Sequence, residues 1–151
     1  MKTKYLFPIV ALGLVSIMGI YFLVNPSYEK SIESKYYYEV GEYDRAYSLA
    51  SEAFSLDVYN RMASTIMAQS KTSLKYVAYI NQAKTYLAQI NIIAEQENIS
   101  DAERAKMRMM SEIVVDSYSK LAPSIITDKN LVKDAKKYHD DFEALLERVS
   151  K

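Results

Sequence analysis

The chain has 151 residues, and its 19 basic and 19 acidic side chains cancel to a formal charge of zero. A nucleic-acid-binding domain takes most of its non-specific affinity from a basic excess that neutralises phosphates, so no nucleic-acid partner is expected. The absence of Cys excludes a disulfide scaffold, a thiolate metal site and a Cys nucleophile, and one His, three Gly and three Pro leave little material for a metal cage or a phosphate loop.

From Tyr5 to Val24 the chain runs 20 residues without a charge, and only Pro8, Gly13, Ser16 and Gly19 fall outside the hydrophobic class. A helix of that length rises about 30 Å, the thickness of a bilayer's hydrocarbon core. Pro8 falls in the first turn, where a missing amide hydrogen costs little, and Tyr5, Tyr21 and Phe22 suit the two interfaces. A cleaved signal peptide would share Lys2 and Lys4, but its apolar core is usually about 7 to 15 residues and ends in a small-x-small pair. Here the run is longer and leads into Asn25-Pro26-Ser27, which favours an uncleaved signal anchor. Lys2 and Lys4 precede the segment, whereas Glu29 and Glu33 offset Lys30 and Lys35 after it. The positive-inside rule then keeps residues 1–4 cytoplasmic and makes the remainder periplasmic or extracellular, on a plasma or inner membrane. Lys2 and Lys4 are two of the 19 basic residues, which leaves 17 against 19 acidic ones and a formal charge of −2 for the rest. Gly13, Ser16 and Gly19 lie three apart, not in the four-residue spacing of a helix-dimer motif.

Beyond Val24 there is one Gly, Gly41, and two Pro, Pro26 and Pro123, so the fold class expected is all-α. Asn25-Pro26 has the form of an N-cap followed by Pro at the first helical position. A helix to about Val40 follows, with Gly41 placed for the left-handed conformation after its end. A second helix begins near Glu42 and carries Tyr43, Ala46, Tyr47, Leu49, Ala50, Ala53 and Phe54 on or beside one face, which completes an αα-hairpin. Tyr59, Met62, Ala63, Ile66 and Met67, then Tyr76, Ile80, Ala83, Leu87, Ile90 and Ala94, repeat at helical spacing. Thr72 and Ser73 could cap a new start, or the stripe could run on through Ser70. Ser100 and Glu103 form a capping box before a helix that includes Ala105, Met109, Ile113 and Leu121 and is closed by Pro123. After Thr127-Asp128 the last helix carries Leu131, Ala135, Tyr138, Phe142, Leu145 and Val149, about three heptads that suit a bundle seam better than a long coiled coil. The organisation expected is an anchor at 5–24, a hairpin at 25–57 and further helices of the same domain at 58–151.

Gly41-Glu42-Tyr43-Asp44-Arg45-Ala46, with Ala53, Leu56 and Asp57, resembles the second helix of a tetratricopeptide repeat. The family pattern there is Gly-x-Tyr-x-x-Ala, a small Ala seven residues on, and a Leu-Asp exit. The resemblance implies structural roles for Gly41, Ala46 and Ala53 in a hairpin whose small residues let helices approach, and an architecture used for protein binding. It covers one repeat, about 34 residues. Lys30 stands where the family has Trp or Leu, Ser34 at its small position and Val58 where it has Pro, and 61–94 do not repeat the pattern. Whether 58–151 are degenerate repeats or a bundle stays open.

Five of the 14 Tyr, Tyr36, Tyr37, Tyr38, Tyr43 and Tyr47, fall within 12 positions and cannot all point inward on helices. They are the candidate partner-binding residues, because Tyr offers a broad apolar face and a hydroxyl at low entropic cost. His139, Asp140, Asp141 and Glu143 are the densest potential metal ligands, with His139 and Glu143 one turn apart, but no HExxH-type motif supports a site and a solvated face is expected. Met109 is expected in the core, with Met107 open, and Ser100 of the Asn98-Ile99-Ser100 sequon serves better as a cap. No nucleophile set, P-loop or dinucleotide fingerprint is present, so neither a catalytic residue nor a cofactor is expected. The function expected is a membrane-anchored, non-catalytic protein-interaction module. A structural homo-oligomer built through the last helix and a small-ligand sensor are the alternatives.

Overall fold

The computed structural model describes residues 6–123 and 127–149. Among these it contains six α-helices and no strand: α1 (Leu6–Val24), α2 (Pro26–Glu39), α3 (Tyr43–Leu56), α4 (Arg61–Ala94), α5 (Asp101–Tyr118) and α6 (Lys129–Val149). The protein is all-α, as its scarcity of Gly and Pro requires. The expected cytoplasmic residues 1–4 and Tyr5 lie outside the described residues. The chain divides into two compact units at Lys71 and Thr72, within α4.

In the first unit, α1 has no polar face, and its residues from Leu6 to Tyr21 are all exposed. Ser16 spends its hydroxyl inside the helix, donating to the Leu12 carbonyl at 2.9 Å. Over the described residues no single helix is long and apolar enough to cross a membrane; Leu6–Tyr21 and Pro26–Glu39 meet that requirement only as a pair, bent by 73°. The bend is built by Asn25. Its amide still donates to the Tyr21 carbonyl at 3.1 Å, while its side-chain oxygen accepts from the Ser27 amide at 3.0 Å and caps α2, with Pro26 at the first helical position.

The α2–α3 hairpin turns at Gly41, whose φ is +86°. The Glu42 amide donates to the Tyr37 carbonyl (2.9 Å) and the Gly41 amide to that of Tyr38 (3.2 Å), a Schellman pairing that uses up carbonyls the helix end leaves open. Gly is needed for that φ and not for space, since an added Cβ would meet nothing within 4 Å. Between the two helices the contact is made of the smallest side chains. Ser27, Ser31 and Ser34 of α2 and Ala46, Ala50 and Ala53 of α3 are all buried. The hydroxyls are satisfied on backbone: Ser27 donates to the Ala53 carbonyl, Ser31 to that of Ser27 and Ser34 to that of Ser31, each at 2.8 Å.

Asn60 closes this interface from the other side. It is fully buried, caps α4 by accepting from the Ala63 amide (3.1 Å), and donates from Nδ2 to the Ser27 and Ser31 hydroxyls at 2.8 and 2.7 Å. Ile66 and the half-buried Met67 of α4 then pack with Tyr37 and Tyr38 around Ala46 and Ala50.

In the second unit, Tyr76, Tyr79, Ile80, Ala83, Ile90 and Ile93 of α4 form a core with Met107, Met110 and Val114 of α5 and Ala135 and Phe142 of α6. The stripe of α6 is that expected, with Leu131, Tyr138, Leu145 and Val149 packed against the core at its margin. The capping box at Ser100 is complete: the Glu103 amide donates to Oγ (3.3 Å) and the Ser100 amide donates to the Glu103 carboxylate (2.8 Å). The Ser100 hydroxyl, and next the Ser100 amide, hold the Glu103 carboxyl below its usual range.

Two expectations are corrected here. Helix α5 buries Met107, Met110, Ser111 and Val114, whereas Met109 is 54% exposed. Ser111 hides the true stripe from a hydrophobicity count, because its hydroxyl bonds back to the Met107 carbonyl at 2.9 Å and enters the core at no polar cost. The helix also ends at Tyr118, before Leu121 and without help from Pro123; the Lys120 and Leu121 amides turn back to the Ser117 and Tyr118 carbonyls. The possible break at Ser70–Ser73 is resolved as continuous helix, with both serines buried and their hydroxyls without a partner.

Opposite effects on stability follow for two polar residues. Asn60→Ala loses a cap worth about 1 kcal/mol and two buried hydrogen bonds of similar worth, and is expected to destabilise the chain by about 2–3 kcal/mol. Ser70→Ala removes an unsatisfied hydroxyl while improving helix propensity, and is expected to stabilise it by about 1 kcal/mol. Thermal unfolding in mild detergent, followed by helical circular dichroism, should move the midpoint down for the first variant and up for the second.

Candidate functional site

The five clustered tyrosines do not share one groove. Tyr43 is 7% exposed and packs edge-on against Tyr38, with ring centroids 5.4 Å apart, so it belongs to the hairpin interior and is not a partner contact. The reason is its register: Tyr43, Ala46, Ala50 and Ala53 lie three or four apart and define the buried face of α3. Tyr38 is half-buried beside the Ala46–Ala50–Ile66 cluster. Tyr47 lies on the outer side of α3, where with Ser48, Ser51, Glu52 and Ser55 it lines a shallow depression of about 350 Å³. Glu52 is occupied there by Lys30 of α2, at 2.6 Å. Glu52 also raises the Lys30 pKa, by hydrogen bond first and charge second.

The exposed aromatic surface is at the Gly41 end of the hairpin. Tyr36 is 60% exposed and meets the Tyr37 ring edge-on, with centroids 5.4 Å apart. The Arg45 guanidinium of α3 lies 3.9 Å from the centroid of the Tyr37 ring, a cation–π contact that fixes both side chains. Val40, also exposed, is on the same turn. Tyr and Arg are the residue types that most often dominate protein interfaces. Sequence reading singled out Tyr36 and Tyr37 but missed Arg45, although its position eight residues after Tyr37 across a short turn could have paired them. Gly41 makes the turn, and Ala46 and Ala53 are buried at the helix contact.

In the second unit, ligand atoms of His139, Asp140 and Glu143 all lie within 4.8 Å of one another. Asp140, Asp141 and Glu143 are exposed, as a solvated face requires, and only His139 departs from it by being half-buried. The His139 ring stacks on Tyr118, with centroids 4.3 Å apart and planes 12° from parallel, and its Nδ1 is buried without a partner. Its Nε2 is 4.0 Å from the Glu143 carboxylate, and Asp140 is held by Lys136 at 2.8 and 3.1 Å. A cation there would have to displace Lys136, and one helix alone supplies the ligands. Asp141 stands apart and exposed. Behind Tyr118 lies Tyr79, 4% exposed, with its hydroxyl unpartnered and its pKa pushed up to about 12 by burial, then by Tyr118 and Asp140.

Compared with family models, with curated proteins and with solved structures, the chain matches none.

The Tyr79 hydroxyl carries a pH prediction. Its folded pKa is raised above the ordinary value of 10.0 to about 12, so the folded state holds this proton more tightly and stability falls as pH rises through that interval. Tyr79→Phe is expected to be more stable by about 1 kcal/mol at neutral pH, because a buried unsatisfied hydroxyl is removed, and to unfold less readily than the parent between those pH values. Denaturation midpoints across that range check both.

Proposed function

We propose that the protein is a single-pass membrane protein whose helical part is a non-catalytic interaction module, held on the periplasmic or outer side of a plasma membrane. The observation that carries this reading is α1. A helix apolar on every side is stable only inside protein or lipid, and from Leu6 to Tyr21 none of its side chains is buried in this chain. Its single side-chain hydroxyl before Tyr21, on Ser16, is satisfied within the helix, as a hydrocarbon surrounding demands. Lys2 and Lys4 before the run, and a domain of slight negative charge after it, support an N-terminus that stays in the cytoplasm.

The hairpin is the proposed recognition element, of tetratricopeptide-like form. Support comes from the positive φ of Gly41 and the buried Ala46 and Ala53, with Ser34 buried at the small-residue position of the first helix. The Tyr36–Tyr37–Arg45 array is its binding surface. Tethering would raise the local concentration of this surface for other membrane-bound proteins. Assembly through the last helix is less favoured, since Ala135 and Phe142 are already at zero exposure within the second unit.

Isolation of the full-length protein from membranes in mild detergent tests the reading. A discrete partner should co-purify, and Tyr36→Ala with Arg45→Ala should lower its recovery about tenfold or more while helicity is kept, given that truncating an interface anchor costs roughly 2 kcal/mol. Release of the protein by alkaline carbonate, or recovery of the protein alone, would contradict the anchor and the adaptor respectively.

A further inference from the structure

The loop between α3 and α4 exposes apolar side chains in an unusual concentration. Leu56, Val58, Tyr59 and Met62 are all exposed, and Tyr59, at 88%, is more open than any large hydrophobic residue described in α1. The loop that carries them is ordered. The Asp57 amide donates to the Ala53 carbonyl and the Asn60 amide to that of Asp57, both at 3.1 Å, while the Asp57 carboxylate accepts from the Tyr59 amide at 2.9 Å. The turn therefore holds Val58 and Tyr59 outward by its own hydrogen bonds, at a cost in exposed apolar area that calls for a partner.

The position of the loop identifies that partner. Asn60, next to Tyr59, donates to Ser27 and Ser31, and Ser27 in turn donates to the carbonyl of Ala53. Ser27 is three residues beyond Val24, the last residue of α1. The exposed loop is thus pinned beside the point where the apolar helix ends. The α1–α2 corner at that same end forms a second apolar surface, a cleft of about 490 Å³ lined by Ile17, Ile20, Tyr21, Val24, Asn25 and Pro26. The neighbour of Tyr59 on the other side of Asn60 is Arg61, exposed and free to meet lipid phosphate.

We propose that the Leu56–Met62 turn is an interfacial membrane foot: Tyr59, flanked by Leu56, Val58 and Met62, enters the headgroup region of the leaflet from which α1 emerges. This rests on the reading of α1 as a bilayer span. A Tyr at that depth buries its ring among acyl-chain ends and keeps its hydroxyl wet, the property that enriches Tyr in membrane interfaces. The foot adds a second attachment to the anchor. Because Asn60 ties it rigidly to α2, it fixes the hairpin's orientation to the bilayer, with Tyr36 and Arg45 at the opposite end. Helix α2, at 14 residues, sets that end about 20 Å from the foot.

The protein has no Trp, so one introduced residue reports its own surroundings. Full-length Tyr59→Trp and, separately, Tyr36→Trp are reconstituted into vesicles of phosphatidylcholine and phosphatidylglycerol, with and without phosphatidylcholine bearing a nitroxide near the top of its acyl chain. Flotation with the vesicles after alkaline wash establishes the span independently. The expected result is emission at position 59 that is blue-shifted and quenched about twofold or more by the nitroxide lipid, with position 36 quenched less, as interfacial depth at position 59 requires. A floating protein in which position 59 is no more quenched than position 36 would overturn the foot and leave the anchor standing. A protein that does not float with the vesicles would overturn both.

Discussion

The carboxamide of Asn60 makes three hydrogen bonds without access to solvent, and they reach separate parts of the first unit. Its oxygen starts α4, and its nitrogen holds two serines of α2, one of which is bonded to the end of α3. A buried amide left unpaired costs more than a paired one returns, so the arrangement tolerates one geometry only. With Ser and Ala at the α2–α3 contact there is little apolar area to hold the helices together, and the polar network supplies the register that large side chains would otherwise set. The hairpin is therefore narrow and closely packed, specified by hydroxyl-to-backbone bonds and small side chains.

That constraint organises the rest of the unit. It draws the α3–α4 turn to the base of α2, and so to the end of α1, while the Schellman turn at Gly41 closes the other end. The aromatic residues then divide by position. Tyr43 and Tyr38 fill the space between the helices, Tyr36 and Tyr37 with Arg45 stand at the Gly41 end, and Tyr59 stands at the base. A tyrosine-rich composition thus serves packing and surface alike, through a ring that is apolar and a hydroxyl that tolerates water.

Much of this was legible in the sequence where local chemistry decides. Asn25-Pro26, Gly41 and Ser100 with Glu103 act through bonds within a few residues, and each stands where its motif puts it. The α6 stripe was legible for the same reason, since six apolar residues at strict spacing define a face unaided. What escaped is what depends on polar side chains entering a core. Ser27, Ser31 and Asn60 carry no apolar signal, and only their bonds, the serines to carbonyls and the amide to the serines, place them inside. Ser111 misdirected the face of α5 by the same means, and His139 was assigned to solvent because its stacking partner, Tyr118, comes from another helix. Of the candidate site, Tyr36 and Tyr37 were visible, Tyr43 was misplaced, and Arg45 required knowing how the hairpin aligns.

The central claim is that α1 crosses a bilayer and leaves the hairpin on the far side from Lys2 and Lys4. Because the chain has no Cys, a single Cys marks one place without background. Thr3→Cys and Ser48→Cys, each in the full-length protein, can be treated in intact cells with a membrane-impermeant maleimide and again after permeabilisation. The account predicts that Ser48→Cys is labelled in intact cells and Thr3→Cys only once the membrane is opened. Labelling of both, or of neither, before permeabilisation would contradict it.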